Sequence, residues 1–208
     1  MSAPLVEETI VRMSVNGVHT HTWRCTSSDL EALAVGRLYI DGRITSADQA
    51  HLIVGTGREA LVIDARVSDA TAVLPPTRGS LPIPDPETFA ELFRGLFKLV
   101  DERHEHGGMH AAAATNGTAN VVQVEDVGRH NTIDKLVGAL LLRGVSPSQH
   151  GLLTSSRVSG EIADKAARAG FAWLASRSIP TTLAVSFAQN AHMPIIGRAA
   201  GKGAFIYQ

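Results

Sequence analysis

One cysteine, Cys25, is all that the 208 residues contain. A lone thiol excludes an intrachain disulfide framework and fits a chain that works in the cytoplasm. Long apolar runs are missing as well. Nothing approaches the stretch of about eighteen apolar residues that a transmembrane helix needs. Met1 to Glu8 lacks the cationic start and apolar core of a signal peptide. Nor does one sign of charge dominate: 19 Lys and Arg against 20 Asp and Glu leave a formal net charge of −1. That balance gives no global pull toward nucleic acid or an anionic membrane. There is no repeat at solenoid period and no low-complexity tract. What remains is enough chain for one large or two small domains with a sizeable core.

The informative stretch is 119–135. An apolar run ends at Val124, a charged, glycine-containing loop covers Glu125 to His130, and Asn131 stands as the N-cap of a helix, with Asp134 three residues on. Ile133, Leu136, Val137, Leu140 and Leu141 make its apolar face. The unit reads strand, polar loop, helix, and open α/β sheets bind ligands at loops of this kind. The pattern recurs. Leu152 to Thr154 is a short strand, followed by a loop with Ser156 and Arg157. Ser159 caps a helix carrying Ile162, Ala163, Ala166 and Ala167, which exits at Gly170. Phe171 to Ala175 is another strand, with Ser176, Arg177 and Ser178 in its loop. A helix opened by Thr181 or Thr182 turns Ala184, Phe187, Ala188 and Ala191 inward. Pro194 to Gly197 leads to Arg198-Ala199-Ala200-Gly201-Lys202-Gly203 and a closing strand, Ala204 to Tyr207. If the strands are parallel, four loops rich in cations and serine meet on one edge. Cations beside helix N-termini then make a site for a phosphate-bearing ligand.

Toward the start, Asn16-Gly17 between two apolar-alternating runs signals a type I′ hairpin. His19 and His21 share a strand face, yet without a third ligand nearby they read as polar strand residues rather than a metal pair. Cys25, with only Arg24 as a cationic neighbour, reads as structural. Ser28 caps a helix with Leu30, Leu33, Ala34 and Leu38 as its stripe, ending near Asp41-Gly42. Leu52 to Val54 and Ala60 to Ile63 are strands. Val67 to Pro86 is a linker, and Asp85-Pro86-Glu87 starts a core helix through Phe89, Leu92, Phe93, Leu96 and Phe97. His104 and His106 complement its C-terminus. Gly107-Gly108 then admits a new helix through the alanine run 111–114. His110, in its first turn, either faces the ligand edge or packs.

Taken in order, Gly107-Gly108-Met109-His110-Ala111-Ala112-Ala113, Glu125-Asp126-Val127-Gly128-Arg129-His130-Asn131, Asp134-Lys135-Leu136-Val137-Gly138, Ser156-Arg157-Val158-Ser159, Lys165-Ala166-Ala167-Arg168-Ala169-Gly170 and Ser178-Ile179-Pro180-Thr181 resemble the formate dehydrogenase accessory sulfurtransferase family (FdhD). Asp29 to Gly36 and the hairpin resemble it too, so the likeness spans nearly the whole chain. It implies an α/β fold: a cytidine-deaminase-like three-layer core over 84–208, a smaller N-terminal α+β portion over 1–83, and a homodimer or heteromeric assembly. It also implies a cargo, the molybdenum or tungsten bis(pyranopterin guanine dinucleotide) cofactor, with GDP as a mimic of its nucleotide ends. The implied partners are formate dehydrogenase or a related molybdo- or tungstoenzyme, and a cysteine desulfurase as sulfur source. Cofactor-binding residues carried over are His110, Glu125, Asp126, Gly128, Arg129, His130, Asn131, Ser156, Arg157, Ser159, Ser176, Arg177, Ser178 and the segment Arg198 to Gly203.

The chain departs from the family pattern where the family carries its sulfur. The Cys-X-X-Cys loop corresponds to Arg66 to Gly79 here, a region without cysteine. A persulfide needs a thiol, which serine cannot replace. Two readings follow: a cofactor-maturation protein in which sulfur transfer is doubtful, and a non-catalytic cofactor- or nucleotide-binding scaffold. A zinc deaminase on the same core needs a His-X-Glu and a Pro-Cys-X-X-Cys. His110-Ala111-Ala112 and the missing cysteine pair leave no zinc expected.

Overall fold

The structure, a computed structural model, describes residues 5–68, 77–103, 107–201 and 203–208. The N-terminal part is a four-stranded sheet carrying one helix. Its elements are β1 (Thr9–Val15), β2 (Val18–Cys25), α1 (Leu30–Ile40), β3 (Ala50–Thr56) and β4 (Leu61–Val67), with strand order β2-β1-β4-β3. Asn16 and Gly17 take φ of 50° and 82°, as a type I′ turn demands. The Asn16 amide also exchanges two 3.0 Å hydrogen bonds with the Val67 backbone, which pins the hairpin tip to the end of β4. Leu33, Ala34 and Leu38 of α1 are buried against Val11, Met13 and Ile63. Ser28 does not cap this helix. The cap is Asp29, in the left-handed region at φ 54° without a side-chain bond, while the Ser28 hydroxyl lies 3.3 Å from that of Thr26.

The larger part follows α2 (Pro86–Arg103). It contains β5 (His110–Thr115), β6 (Asn120–Asp126), α3 (Arg129–Leu141), β7 (Gly151–Thr154), α4 (Gly160–Ala169), β8 (Leu174–Ser176), α5 (Thr182–Asn190), β9 (Ile195–Gly197) and β10 (Phe205–Tyr207). The sheet order is β10-β9-β8-β7-β5-β6. β7, β8 and β9 are mutually parallel. β5 is antiparallel to both β6 and β7, so β6 points the same way as β7, β8 and β9. Four strands therefore end on one edge, and β5 begins there.

The alanine run is a strand, not a helix. Ala112 and Ala114 belong to the cluster with Ile133, Leu136, Ile162 and Ala184. Ala111 and Ala113 belong to the opposite cluster with Phe89, Phe93 and Trp173. A central strand buried on both faces shows no polar alternation, and methyl groups let helices lie close on each side. Tertiary burial here overrides alanine's helix propensity. The result is a mixed α/β fold with helices on both faces of the larger sheet. Phe89 meets Trp173 edge-on at 5.4 Å on the α2 side, an arrangement worth about 1 kcal/mol beyond area burial.

Other boundaries also move. Asn131 is inside α3, whose cap is Gly128. The strand expected over 171–175 is regular only from Leu174 to Ser176. Phe187 points outward, 39% exposed, while Ala184 and Ala188 face in. Of the expected linker, 69–76 lie outside the described residues. Leu81 and Ile83 beyond them pack on the α2-side cluster, and Arg78 Nε donates to the Phe171 carbonyl at 3.1 Å. The expectation for His104 and His106 also lies outside the described residues.

The two parts join by direct backbone contact. At the α1–α3 crossing a Cβ on Gly36 would collide with the Asp134 carbonyl, and one on Gly138 with that of Ala32. Only glycine at both positions allows this approach.

Candidate functional site

The β6–α3 turn is built around the Asp126 carboxylate. Its Oδ1 accepts from Gly128 N at 2.7 Å and from Asn131 Nδ2 at 2.9 Å. Its Oδ2 accepts from Thr26 N at 3.2 Å and Thr26 Oγ1 at 3.0 Å, and pairs with Lys135 Nζ at 2.7 Å. Lys135 and Asp126 are both fully buried. Lys135 also donates to Thr26 Oγ1 at 2.7 Å, and Asn131 Nδ2 reaches the Arg24 carbonyl at 2.7 Å. Hence both Asp126 oxygens and the Asn131 Nδ2 are directed to protein partners. They clamp the strap after β2 onto the turn that presents Arg129 and His130.

A second buried pair flanks the same turn. Lys165 Nζ, on the inner face of α4, lies 2.9 Å from Asp134 Oδ2 and donates to the His130 carbonyl at 3.2 Å. Glu161, 58% exposed, sits 3.7 Å from Lys165 and 3.5 Å from His130 Nε2. Ser159 Oγ is 3.3 Å from that same nitrogen. Serine and glutamate thus share one imidazole nitrogen. A nucleophile–base–orienter relay would use both nitrogens, so the trio is not one. Burial chiefly, then Arg129, holds the His110 imidazole below its ordinary pKa against the pull of Asp126. His130 is likewise lowered, first by burial; Glu161 opposes this, while Arg129, Lys165 and His110 add to it. Burial pushes the Asp134 carboxyl up against Lys165.

The remaining loops reach the same edge. Ser155 Oγ accepts from Ala111 N at 2.9 Å, tying the β7–α4 loop to β5. Ser156 is buried, with its hydroxyl 3.0 Å from that of Thr154. Ser176, also buried, donates to the Ser156 carbonyl at 2.7 Å and accepts from Ser178 N at 2.9 Å. These serines shape the loops, and Arg157 stands exposed beside them. The β9–β10 connection is stitched on through backbone bonds, Arg198 N to the Ser178 carbonyl at 3.0 Å and Ala199 N to the Ser176 carbonyl at 2.9 Å. Ala199 is buried, Ala200 half-buried, and Gly201 and Gly203 exposed. Arg198, at φ 53°, stacks over Phe205 at 5.9 Å, and Arg177 over Phe97 at 5.2 Å. Lys202 lies outside the described residues. His110 and Glu125 are both half-buried, on strands that run to this edge.

The edge therefore holds Arg129, His110 and His130 as one electrostatic group, with Ser159 beside it. Arg177 and Arg198 rest on separate aromatic rings. Neither Gly128 of α3 nor Ser159 of α4 caps its helix through a side chain. Sequence reasoning did not place Lys165, Lys135, Glu161 or Thr26 at the candidate site, where the structure gathers them around the β6–α3 turn. The signal for Lys165 was its place beside Ile162 and Ala166 on an apolar face, where an unpaired lysine is rarely tolerated. Cys25 has no exposed surface, and burial pushes its thiol up to about 12. Among the described residues no three or more His, Cys, Asp and Glu side chains group so as to hold a metal. Likewise, no helix there is long and apolar enough to cross a membrane.

Comparison with known proteins agrees over the whole chain. The FdhD/NarQ family model matches residues 55–208. The sulfur carrier protein FdhD of Bordetella petrii is 31% identical, the match covering 98% of this chain and 84% of that protein. The sulfur carrier protein FdhD of Staphylococcus aureus is 28% identical, over 97% and 86%. The crystal structure of a Desulfotalea psychrophila protein described as a formate dehydrogenase accessory protein superposes with a TM-score of 0.83 at 20% identity, covering all of this chain and 89% of the other, a likeness of fold. With a family model spanning most of its length and a relative above 30% identity along nearly all of it, this chain belongs to the FdhD/NarQ family.

Proposed function

We propose that this protein is a formate dehydrogenase accessory factor. It binds the molybdenum or tungsten bis(pyranopterin guanine dinucleotide) cofactor as cargo, holding its nucleotide phosphates at the carboxyl edge of the larger sheet. The reading rests on one observation: β6, β7, β8 and β9 share a direction, so the loops bearing Arg129, Arg157, Arg177 and Arg198 leave the same edge. The donor set suits such a group. Guanidinium groups match phosphate oxygens in pairs. The first turns of α3 and α4, without side-chain caps, add N–H donors and the positive ends of two helix dipoles. Calorimetry with GDP tests this directly. The parent should bind, and Arg129→Ala and Arg157→Ala should weaken binding. A parent that takes up no GDP removes the reading.

A second reading, a binding scaffold that carries no sulfur itself, is favoured by the thiol inventory. Cys25 is the sole cysteine, and it is buried and held in its protonated form. Sulfur relay requires an accessible thiolate. Incubation with a cysteine desulfurase followed by mass spectrometry should leave Cys25 unmodified. A persulfide on Cys25 would restore sulfur transfer to this chain. The client would be a formate dehydrogenase or related enzyme, with any thiol supplied by a partner.

A further inference from the structure

The anion-site reading leaves Lys165 unexplained. It is nearly fully buried, belongs to a different helix from the turn it touches, and makes two polar contacts on α3 besides one with Glu161 of its own helix. A buried lysine paired with a buried aspartate is a poor source of stability, because desolvation offsets most of the attraction. Asp134 even leaves Oδ1 without a hydrogen-bond partner. The pair is therefore better explained by what it holds in place. Its ammonium donates to the His130 carbonyl, which lies in the first turn of α3 directly after Arg129. Glu161, 3.7 Å from Lys165, also comes within 3.5 Å of His130 Nε2.

We propose that Lys165, anchored by Asp134, is a positioning residue for the anion site: by gripping the His130 carbonyl it fixes the first turn of α3, and with it the direction in which Arg129 and His130 are presented. This deepens the proposed cargo-binding role and rests on it. Asp126 and Lys135 tie the turn to Thr26 of the N-terminal part, and Lys165, paired with Asp134 of α3, braces it from α4. The groups that face the His130 ring are Arg129, Lys165, His110, Glu161 and Ser159.

The experiment combines an NMR titration of the His130 imidazole with GDP calorimetry. Lys165→Met alone strands Asp134 in the core, so the main variant is the charge-neutral Lys165→Met/Asp134→Asn, with folding checked by circular dichroism. Removing the nearby ammonium should raise the His130 titration midpoint. Losing the grip on the carbonyl should weaken GDP binding by about tenfold, the lower end of what outer-shell supports contribute. Net charge is unchanged in this variant, so the loss cannot come from a weaker overall field. Lys165→Arg, which keeps a donor for the carbonyl, should recover part of the affinity. If the double variant binds GDP within a factor of two of the parent and its His130 titration does not move, Lys165 is not a positioning residue. Failure of the parent itself to bind GDP would instead sink the cargo role, and the titration alone would then decide whether Lys165 governs His130.

Discussion

The β6–α3 turn and the β9–β10 connection each bring an arginine to the same edge of one sheet, and they are held there in opposite ways. Arg129 follows a turn fixed by two buried lysine–aspartate pairs and an asparagine that reaches a neighbouring strand. Arg198 sits on a short connection held by backbone bonds to the preceding loop, its side chain lying on an exposed phenylalanine. The first arrangement fixes a cation before the ligand arrives. The second leaves one that a ligand can recruit. For the proposed pterin dinucleotide cargo, which is long and flexible, one braced contact to set register and one lightly held contact to follow would divide the work between ordering cost and affinity.

The largest effect should come from breaking the rigid side. Asp126→Ala removes five hydrogen-bonding or ionic contacts and leaves Lys135 buried without a counter-charge. A loss of about 3–5 kcal/mol is expected by chemical denaturation. No single change in the β9–β10 connection should approach that. Gly138→Ala comes next. Its Cβ would strike the Ala32 carbonyl at the α1–α3 crossing, and overpacking of this kind costs roughly 1–3 kcal/mol. If either variant melts like the parent, the two parts of the chain are less tightly joined than their backbone contact implies.

Affinity should separate the two kinds of arginine. Arg129→Ala is expected to reduce GDP binding by roughly 10- to 100-fold, the worth of one or two charge-assisted hydrogen bonds at about 1.5–3 kcal/mol. Arg198→Ala should lose less, because part of the contact offsets leaving Phe205. Equal losses would abolish the distinction between fixed and recruited cations.

The histidines give a test in which stability and binding move in opposite directions. Both His110 and His130 have folded-state pKa values below the ordinary imidazole value, first through burial. The unfolded chain therefore binds these protons more readily. Their neutral forms stabilise the fold above the unfolded pKa of about 6.5, and that contribution is lost as pH falls through 6.5 toward the lower folded values. A bound anion favours the imidazolium form, so GDP affinity should rise over the same descent. Thermal melts and calorimetry between pH 8 and 5.5 read both slopes. The His110→Gln/His130→Gln variant should flatten them. Affinity that falls together with stability would place the histidines away from the anion.

Much of this was legible in the residues. Asn16-Gly17 wrote its own turn, Asp85-Pro86 its own helix start, and the periodic stripes of α1, α2 and α3 marked their buried faces. The repeated strand–loop–helix units left the shared direction of the four strands as a condition, and that of β6 is set through β5, which the sequence did not mark as a strand. The alanine run did not read correctly, because a strand buried on both faces carries no alternation and alanine's local preference is helical. The exposed Ser28 hydroxyl lies beside its neighbour Thr26 and Asp29 takes the cap position, whereas the cap at Asn131 failed for a related reason: its side chain reaches the Arg24 carbonyl in the contact between the two parts, which local spacing does not encode. The same is true of the lysine pairs. Asp134 and Lys135 look like solvent-facing charges until α1, α3 and α4 are packed together, and the place of Lys165 on an apolar face does not name its partner.

The smallest expected effect is also the sharpest test of recruitment. Arg177 stacks over Phe97 of α2, an exposed cation–π contact worth about 0.5–1 kcal/mol. If Arg177 must leave that ring to reach a phosphate, the stack competes with the ligand. Phe97→Leu should then strengthen GDP binding, by roughly two- to fivefold, since that free energy no longer has to be given up. Arg177→Ala should weaken binding in either background. A Phe97→Leu variant that binds more weakly than the parent would mean that the guanidinium works from its stacked position and that the ring is part of the site. The β8–α5 loop would then belong with the braced turn of α3 rather than with the adaptable β9–β10 connection.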